Sequence, residues 1–240
     1  MKIILLAGGL GTRISEETDD KPKPMVLLDD KPIIWHLMNI FAQQGFTDFI
    51  IATGYKGHVI DDWVAGLKTN WTISTLDTGL KTQTGGRIAR CMDLVPGERV
   101  MATYGDGLGN INVPALIDFH KHHGKLATLT AVRPPARFGV LESSNGLVTH
   151  FGEKNQADAG WINGGFFVLE GSVRGLVESD SEPFESGAIP RLVKTENLMA
   201  FHHSGFWQPM DTLREKQDLV KLALLNTPPW LAFQSKKANT

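Results

Sequence analysis

The sequence predicts an α/β fold in which helices flank a mixed, mostly parallel central sheet that is joined to a small β-rich part. Short apolar segments alternate with amphipathic ones through residues 1–133, which is the βαβα order of a mostly parallel sheet. The first apolar segment, residues 2–7, is apolar on both faces, as a strand covered by helices on both sides must be. After residue 134, short strand-like segments with glycine turns replace this alternation.

Each element follows from its hydrophobic period and from the residues that start or stop a helix. Strands of the alternating region are predicted at residues 2–7, 48–55, 72–79, 99–107 and 126–132. Helices are predicted between them at residues 32–45, 58–67, 85–95 and 114–123. Pro32 suits a first helical turn, and Gly45 and Gly124 suit helix ends. The later strand-like segments are residues 137–142, 146–153 and 161–169, and two helical stretches are predicted in the C-terminal part.

Composition excludes several classes of protein. The 240 residues are 42% hydrophobic and 21% charged, which predicts one large globular domain. The formal net charge of −2 would not attract nucleic acid or a membrane surface, so neither is an expected partner. A single cysteine, Cys91, excludes an intrachain disulfide and fits a reducing, cytoplasmic location. The N-terminal apolar run could imitate a signal peptide, but glycines and Arg13 interrupt it, so a buried strand is favoured.

A glycine turn, residues 8–13 (GGLGTR), follows the first strand. Glycines allow backbone N–H groups to approach phosphate oxygens at the carboxyl edge of a parallel sheet. Two familiar phosphate motifs are absent. Ile14 stands where the dinucleotide fingerprint has its third glycine, and the turn ends in Arg13 rather than in the Gly-Lys-Ser/Thr of a P-loop. Taken alone, such a turn is more often structural than functional.

The continuation, residues 21–25 (KPKPM), favours a binding role. Each proline restricts its own backbone and that of the residue before it, so Lys23 has little backbone entropy left to lose. An exposed basic turn is the alternative for this segment in isolation. Together with Arg13 and the glycine turn, however, Lys23 predicts a grip on a nucleoside triphosphate.

Residues 6–13 (LAGGLGTR) and 22–25 (PKPM) together resemble the signature of the sugar-1-phosphate nucleotidyltransferases, and the resemblance covers nearly the whole chain. Residues 84–87 (TGGR), 162–168 (INGGFFV) and 206–214 (FWQPMDTLR) resemble the branch that transfers a cytidylyl group to glucose 1-phosphate.

The resemblance implies a Rossmann-like fold of the nucleotide-diphospho-sugar transferase type. It implies one domain, residues 1–240, with a nucleotide-binding half (1–133) and a sugar-binding half (134–240). One segment departs from the pattern as we know it, because only 19 residues separate Gly57 from Asp77, where this branch carries a longer insertion. We also expect a homo-oligomer, and the short segment would change the contacts between its subunits.

The implied reaction joins CTP and α-D-glucose 1-phosphate to give CDP-glucose and pyrophosphate, with Mg²⁺ as cofactor. A phosphate monoester is already ionised near neutral pH, so no general base is needed, and no Ser-His-Asp or Cys-His constellation is evident. Arg13, Lys23 and Asp106 are the expected catalytic residues. Asp106 follows a strand between two glycines, and Asp211 is its expected partner on Mg²⁺ by resemblance alone. Either aspartate could instead be a turn or capping residue.

The remaining assignments follow the family motifs. The expected nucleotide-binding residues are Leu6, Ala7, Gly8, Gly9, Leu10, Gly11, Thr12, Arg13, Lys23, Thr82, Thr84, Gly85, Gly86 and Arg87. The expected sugar-phosphate-binding residues are Tyr104, Gly105, Gly139, Glu153, Lys154, Asn163, Gly164 and Gly165. Arg87 or a backbone N–H would donate to the acceptors of cytosine. The glycines could instead serve strand bulges, and Glu153-Lys154 could be a solvated pair.

Two features are set apart from the site, and three alternatives for the function stay open. His120 and His123 are expected at a solvated helix end rather than at zinc, and Trp207 could either pack in the core or serve the site. The same reaction with another sugar phosphate or with UTP or dTTP is an alternative. So is a sugar-nucleotide-binding subunit without catalysis, against which the retained Arg13, Lys23 and aspartates argue. A dinucleotide-dependent oxidoreductase is disfavoured by the incomplete fingerprint.

Overall fold

The structure, a computed structural model, describes residues 1–134, 139–144, 147–153 and 160–233. The strands are β1 (Ile3–Leu6), β2 (Leu27–Leu28), β3 (Lys31–Pro32), β4 (Asp48–Thr53), β5 (Thr72–Asp77), β6 (Val100–Tyr104), β7 (Gly107–Gly109), β8 (Ala127–Val132), β9 (Gly139–Ser144), β10 (Leu147–Glu153), β11 (Ile162–Asn163), β12 (Phe167–Leu169), β13 (Leu198–His203) and β14 (Trp207–Pro209). The helices are α1 (Ser15–Thr18), α2 (Ile33–Ala42), α3 (Gly57–Gly66), α4 (Thr84–Met92), α5 (Val113–His123), α6 (Ala188–Lys194) and α7 (Leu213–Ala223).

A sheet of eight strands forms the centre of the described chain. Strand β1 pairs in parallel with β4 on one side and with β6 on the other, and β5 extends the sheet beyond β4. Strand β12 pairs antiparallel with both β6 and β8. Strand β13 runs parallel to β8 at the far edge, and β11 pairs antiparallel with β8. The sheet is therefore mixed and mostly parallel, and the predicted fold class is confirmed.

Strand β1 lies in the middle of this sheet and is buried on both faces. Ile3 and Leu5 pack in the cluster that contains Phe41 of α2, whereas Ile4 packs in the cluster that contains Ile88 of α4. Successive side chains of a strand point to opposite faces, so an uninterrupted apolar run suits a strand covered on both sides. The interpretation of the N-terminal run as a buried strand is confirmed.

The predicted strand at residues 99–107 is wrong as a single element. The structure divides it into β6 and β7 at the turn Gly105–Asp106. Strand β6 continues the central sheet, but β7 pairs antiparallel with β14, which comes from the C-terminal part of the chain. The turn carries Asp106 at the carboxyl end of β6, where a parallel sheet presents its ligand-binding residues.

The second part of the chain contributes both to the central sheet and to a separate hairpin. Strands β9 and β10 form a two-stranded antiparallel ladder, whereas β11, β12 and β13 join the central sheet. Residues of both predicted halves therefore build one sheet. No helix of the described ranges has the length and apolar character that crossing a membrane requires.

His120 is not at a solvated helix end, so that prediction is wrong. It is 1% exposed, and its Nε2 contacts the carboxylate of Glu170 at 3.1 Å while its Nδ1 contacts Thr128 Oγ1 at 2.8 Å. Thr128 Oγ1 also contacts His123 Nε2 at 2.7 Å, and the backbone N–H of Lys125 donates to His123 Nδ1 at 2.9 Å. Every hydrogen bond in this series has one donor and one acceptor when both imidazoles are neutral. Among the described residues, no three histidine, cysteine or acidic side chains converge as a metal site.

Acid is expected to destabilise the protein as the pH falls below about 6.5, the ordinary pKa of histidine. Burial lowers the pKa of His120 against the opposing effect of Glu170. Burial and the neighbouring His120 lower the pKa of His123. The unfolded chain then takes up protons at a higher pH than the folded chain. Stability is complete above the unfolded pKa and is lost as the pH falls towards the folded values.

The midpoint of thermal unfolding, measured from about pH 8 down to about pH 5, tests this expectation. The variant His120→Gln should melt earlier at neutral pH but should lose less stability on acidification. His36 and His203, whose pKa values burial also lowers, account for the slope that remains. An equal acid slope in the wild type and in His120→Gln would contradict the assignment.

Candidate active site

The glycine turn leaves the carboxyl end of β1 at the edge of the central sheet. Gly11 has a φ of 66°, a left-handed conformation that glycine adopts at little cost. Its carbonyl accepts the backbone N–H of Ile14 at 3.1 Å, which starts the short helical turn Thr12–Ile14. The chain thus leaves a buried strand and exposes its backbone at the sheet edge, as the sequence predicts.

Arg87 supports this turn from behind. It is 4% exposed, and its Nη2 donates to the carbonyl of Gly8 at 2.9 Å while its Nη1 donates to the carbonyl of Thr53 at 2.8 Å. Nη1 also donates to Thr78 Oγ1. A Cβ at Gly8 would lie 2.0 Å from Nη1, so a side chain there would displace the guanidinium from these carbonyls. These hydrogen bonds go to the scaffold, whereas the sequence predicts donation to the base. Contact between Arg87 and a base stays a prediction.

Lys23 is the centre of a compact charged cluster. Its ammonium donates to Asp106 Oδ2 at 2.6 Å and to Asp211 Oδ1 at 2.8 Å. Lys23 is only 9% exposed, as a buried ammonium can be when carboxylates pair with it. Arg13 Nη1 lies 2.9 Å from Asp211 Oδ2, and its side chain is 74% exposed. The four charged residues predicted for the site therefore meet in one place.

Strand register brings the two aspartates together. Strands β7 and β14 pair antiparallel, with Pro209 opposite Gly107. One step further along, the backbone N–H of Met210 donates to the carbonyl of Asp106 at 2.9 Å. A capping box at the start of α7 then holds the next residues, because Thr212 and Glu215 bond each other's backbone N–H groups. Glu215 also accepts the backbone N–H of Asp211 at 2.8 Å.

The cluster keeps Lys23 and Asp211 charged. Burial alone would lower the pKa of Lys23, but the carboxylates of Asp106 and Asp211 outweigh it, so the pKa is raised. Burial alone would raise the pKa of Asp211, but the cations of Lys23 and Arg13 outweigh it, so the pKa is lowered. Near neutral pH, Lys23 is therefore an ammonium and Asp211 a carboxylate. Both are suited to electrostatic work rather than to proton transfer.

These residues line a pocket of about 440 Å³, a volume suited to a small organic ligand. The pocket contains most of the predicted nucleotide-binding residues, the predicted metal-binding aspartates, and Tyr104 and Gly105. Sequence reasoning missed three of its lining residues, Pro24, Leu80 and Gln83. Gln83 stands between the predicted Thr82 and Thr84, so extending that motif by one residue would have found it.

Gly85 and Gly86 are absent from the lining and pack instead against residues 178–187, which we call the docking segment. A Cβ at Gly85 would lie 2.6 Å from the carbonyl oxygen of Glu182, and one at Gly86 would lie 2.6 Å from Cα of Asp180. The backbone N–H of Gly85 donates to that same Glu182 carbonyl at 3.1 Å. Close packing therefore accounts for both glycines, and a contact with the base is not required to explain them.

Gly86→Ala is expected to lower the free energy of unfolding by about 2 kcal/mol, the usual cost of overpacking. The added methyl would meet the backbone of Asp180, which cannot rotate away as a side chain would. Urea denaturation provides the measurement. Gly66→Ala is the matched control, because nothing lies within 4 Å of its Cβ position, and unchanged or slightly raised stability is expected. Unchanged stability in Gly86→Ala, with lost nucleotide binding, would favour the base-contact role instead.

The predicted sugar side is brought to the same edge in part. Asn163 Nδ2 donates to Tyr104 Oη at 2.9 Å, and its Oδ1 accepts the N–H of Gly165 at 3.0 Å. Trp207 is buried, and its Nε1 donates to the carbonyl of Gly164 at 3.0 Å. Trp207 thus packs in the core and also holds the INGG backbone, and a part for it in the site stays a prediction.

The structure also gives reasons for the glycines on this side. Gly165 has a φ of 79°, and a Cβ at Gly164 would lie 2.6 Å from Val132 Cγ1. Gly139 lies opposite Glu153 in the hairpin of β9 and β10. Lys154 lies outside the described residues. The sugar contacts of these residues stay predictions.

Comparison with known proteins identifies the family of this chain. The sequence model of the nucleotidyl transferase family matches residues 2–214. The chain therefore belongs to this family, and the family prediction is confirmed. The glucose-1-phosphate cytidylyltransferase of Salmonella typhi is 44% identical over 257 aligned residues, which cover 98% of this chain and 100% of that protein.

Solved structures show the same fold at lower identity. The structure of HddC from Yersinia pseudotuberculosis complexed with GMP-PN has a TM-score of 0.71 and 22% identity, covering 92% of this chain and 98% of that one. The inositol-1-phosphate CTP transferase from T. maritima has a TM-score of 0.69 and 15% identity, covering 92% of this chain and 94% of that one.

Proposed function

We propose that this protein is a glucose-1-phosphate cytidylyltransferase that converts CTP and α-D-glucose 1-phosphate to CDP-glucose and pyrophosphate. The observation that carries the proposal is the charged cluster, in which Lys23 contacts Asp106 and Asp211 while Arg13 contacts Asp211 beside the glycine turn. The 44% identity to the Salmonella typhi enzyme, over the full length of that enzyme, supports the choice of CTP and glucose 1-phosphate.

The chemistry follows from the charges in the pocket. A phosphate oxygen of the sugar phosphate forms a bond to the α-phosphorus of CTP, and the bond from that phosphorus to the bridging oxygen breaks. Pyrophosphate leaves with the electron pair. The attacking oxygen is already an anion, so no residue needs to remove its proton. The main obstacle is repulsion between two anions, which cations and backbone N–H groups relieve.

Individual residues have distinct parts in this scheme. Lys23 is held by the proline-flanked backbone with its ammonium at the aspartates, and it neutralises the phosphates where they react. Arg13 is largely exposed at the pocket mouth. Its guanidinium can therefore exchange Asp211 for the β- and γ-phosphates and bind the leaving pyrophosphate in bidentate fashion. The glycine turn contributes backbone N–H groups.

Asp106 and Asp211 fit a magnesium ion. Their Oδ2 and Oδ1 atoms contact the Lys23 ammonium at 2.6 and 2.8 Å, so a single cation can reach both carboxylates. Mg²⁺ would bind there once the ammonium moves from the aspartates to the substrate phosphates. Two carboxylate oxygens completed by substrate oxygens and water make a ligand set typical of Mg²⁺. When bound, the ion would supply positive charge to the phosphate oxygens around the reacting phosphorus.

Pyrophosphate release, measured with glucose 1-phosphate, MgCl₂ and each of CTP, UTP, dTTP, ATP and GTP in turn, tests the proposal. Release with CTP alone, absent without MgCl₂, is expected. Release with another nucleotide alone would overturn the base assignment and retain the reaction class. If no nucleotide and no other sugar phosphate gave pyrophosphate release, and CDP-glucose bound tightly, a binding subunit without catalysis would be indicated.

A further inference from the structure

Glu185 links two residues that line the pocket, and neither the sequence motifs nor the proposed chemistry assigns it a part. It lies on the docking segment, whose backbone is clamped against the start of α4 at Gly85 and Gly86. Its Oε1 accepts the hydroxyl of Tyr104 at 2.6 Å, and its Oε2 accepts the hydroxyl of Thr84 at 2.7 Å. Both Tyr104 and Thr84 line the pocket. One carboxylate therefore determines where two pocket hydroxyls direct their protons.

The direction of each hydrogen bond around Tyr104 is determined by the donors and acceptors available. The carboxylate of Glu185 can only accept, so the Tyr104 hydroxyl proton is directed at Oε1. Tyr104 Oη then accepts from Asn163 Nδ2, whose Oδ1 accepts the N–H of Gly165. The Tyr104 hydroxyl thus directs its proton at Glu185, which is absent from the pocket lining. Within the described residues, Asn163 Nδ2 donates one of its two N–H groups to Tyr104 and can offer the second to a ligand hydroxyl.

The two hydroxyls depend on Glu185 to different degrees. Thr84 Oγ1 also accepts the backbone N–H of Phe184 at 2.8 Å, so it stays in place without the carboxylate. Among the described residues, the acceptor of the Tyr104 hydroxyl proton is Glu185. Losing Glu185 would leave that proton free to turn towards the ligand.

We infer that Glu185 is a positioning residue for sugar-phosphate recognition, acting through the hydroxyl of Tyr104 and thereby on Asn163. This inference rests on the proposed function, because it takes Tyr104 and Asn163 as the sugar end of the pocket. The glycines of the TGGR motif serve the same purpose, since their missing side chains let the docking segment approach closely enough to bring Glu185 to Tyr104.

The test compares steady-state kinetics of the wild type with those of Glu185→Leu and Glu185→Gln. Leucine removes the acceptor, and it should raise the KM for glucose 1-phosphate about tenfold while the KM for CTP changes less than about twofold. Glutamine keeps an acceptor oxygen and should restore most of the loss. Glu98→Leu is the control and should behave as the wild type. Glu98 is exposed and precedes the amino end of β6, so it lies at the opposite edge of the sheet from Tyr104.

A double variant separates positioning from a merely structural part. In a Tyr104→Phe background, Glu185→Leu should have no further effect on the KM for glucose 1-phosphate, because the hydroxyl through which it acts is gone. Effects that multiply would overturn the inference. So would equal increases in both KM values, a change in the KM for CTP alone, or a glutamine variant as impaired as the leucine variant.

The kinetic measurements also distinguish failure of this inference from failure of the proposed function. A wild type that is silent with CTP and glucose 1-phosphate would contradict the proposed function, whatever Glu185 does. The comparison would then be made by calorimetry with glucose 1-phosphate alone. Weaker binding in Glu185→Leu than in the wild type would support the inference, and equal binding, or none in either protein, would overturn it.

Discussion

Lys23→Met is expected to lower kcat/KM for CTP on the order of a thousandfold, the scale reported for losing a preorganised charge at a reacting centre. Methionine keeps the length of the side chain and removes the ammonium that contacts Asp106 and Asp211 at 2.6 and 2.8 Å. The reacting phosphates then lose the cation that Lys23 would supply. Pyrophosphate release at saturating MgCl₂ measures the effect.

Lys21→Met is the matched control, because Lys21 belongs to the same proline-flanked segment. Its Nζ lies 3.6 Å from Asp20 at the surface, not at the pocket aspartates. It should retain activity within about twofold of the wild type, as surface ion pairs contribute little.

In Lys23→Met, Asp211 also loses a cation that lowers its pKa, so the acid limb of the pH–rate profile should move to higher pH. Comparable activity in the two lysine variants would refute the assigned role of Lys23.

Asp106→Asn should likewise lower kcat by on the order of a thousandfold, and added MgCl₂ should not restore it. The amide keeps the shape of the side chain but removes the negative charge that Lys23 contacts and that the proposed metal requires. Asp211→Asn should raise the MgCl₂ concentration for half-maximal rate by about tenfold or more. Titration of MgCl₂ at fixed substrates, followed by pyrophosphate release, distinguishes the two effects.

Asp118→Asn provides the control for charge, because Asp118 is exposed on α5, away from the pocket lining. Its MgCl₂ titration should overlay that of the wild type. Identical metal dependence in Asp211→Asn and in the wild type would remove Asp211 from the metal site. Its ion pairs with Lys23 and Arg13 would then be its whole role.

Local pattern predicted most of the central fold, and in the pocket it predicted the glycine turn and the restricted Lys23. The strands β1, β4, β5 and β8 lie within the predicted ranges, because buried and amphipathic periods are properties of contiguous residues. The predicted strand at residues 99–107 failed because nothing in that stretch says that β7 leaves the sheet to pair with β14. The prediction of a solvated His120 failed for a related reason, since the burial of His120 depends on Thr128 and Glu170 from other elements.

The sequence by itself determined the class of chemistry. The glycine turn and the restricted Lys23 are encoded by backbone preferences of adjacent residues, and these act wherever the segment lies in the fold. Tertiary structure alone decided which charges meet. Lys23 contacts Asp211, 188 positions away, only through the register of β7 against β14.

Arg87 and Glu185 show the same limit. The sequence predicts that Arg87 or a backbone N–H donates to the base, and it assigns no part to Glu185. Burial and packing instead assign Arg87 to the carbonyl of Gly8, and they place Glu185 against Tyr104. A polar side chain acts on the partners that desolvation and geometry leave within reach, and those partners come from distant parts of the chain.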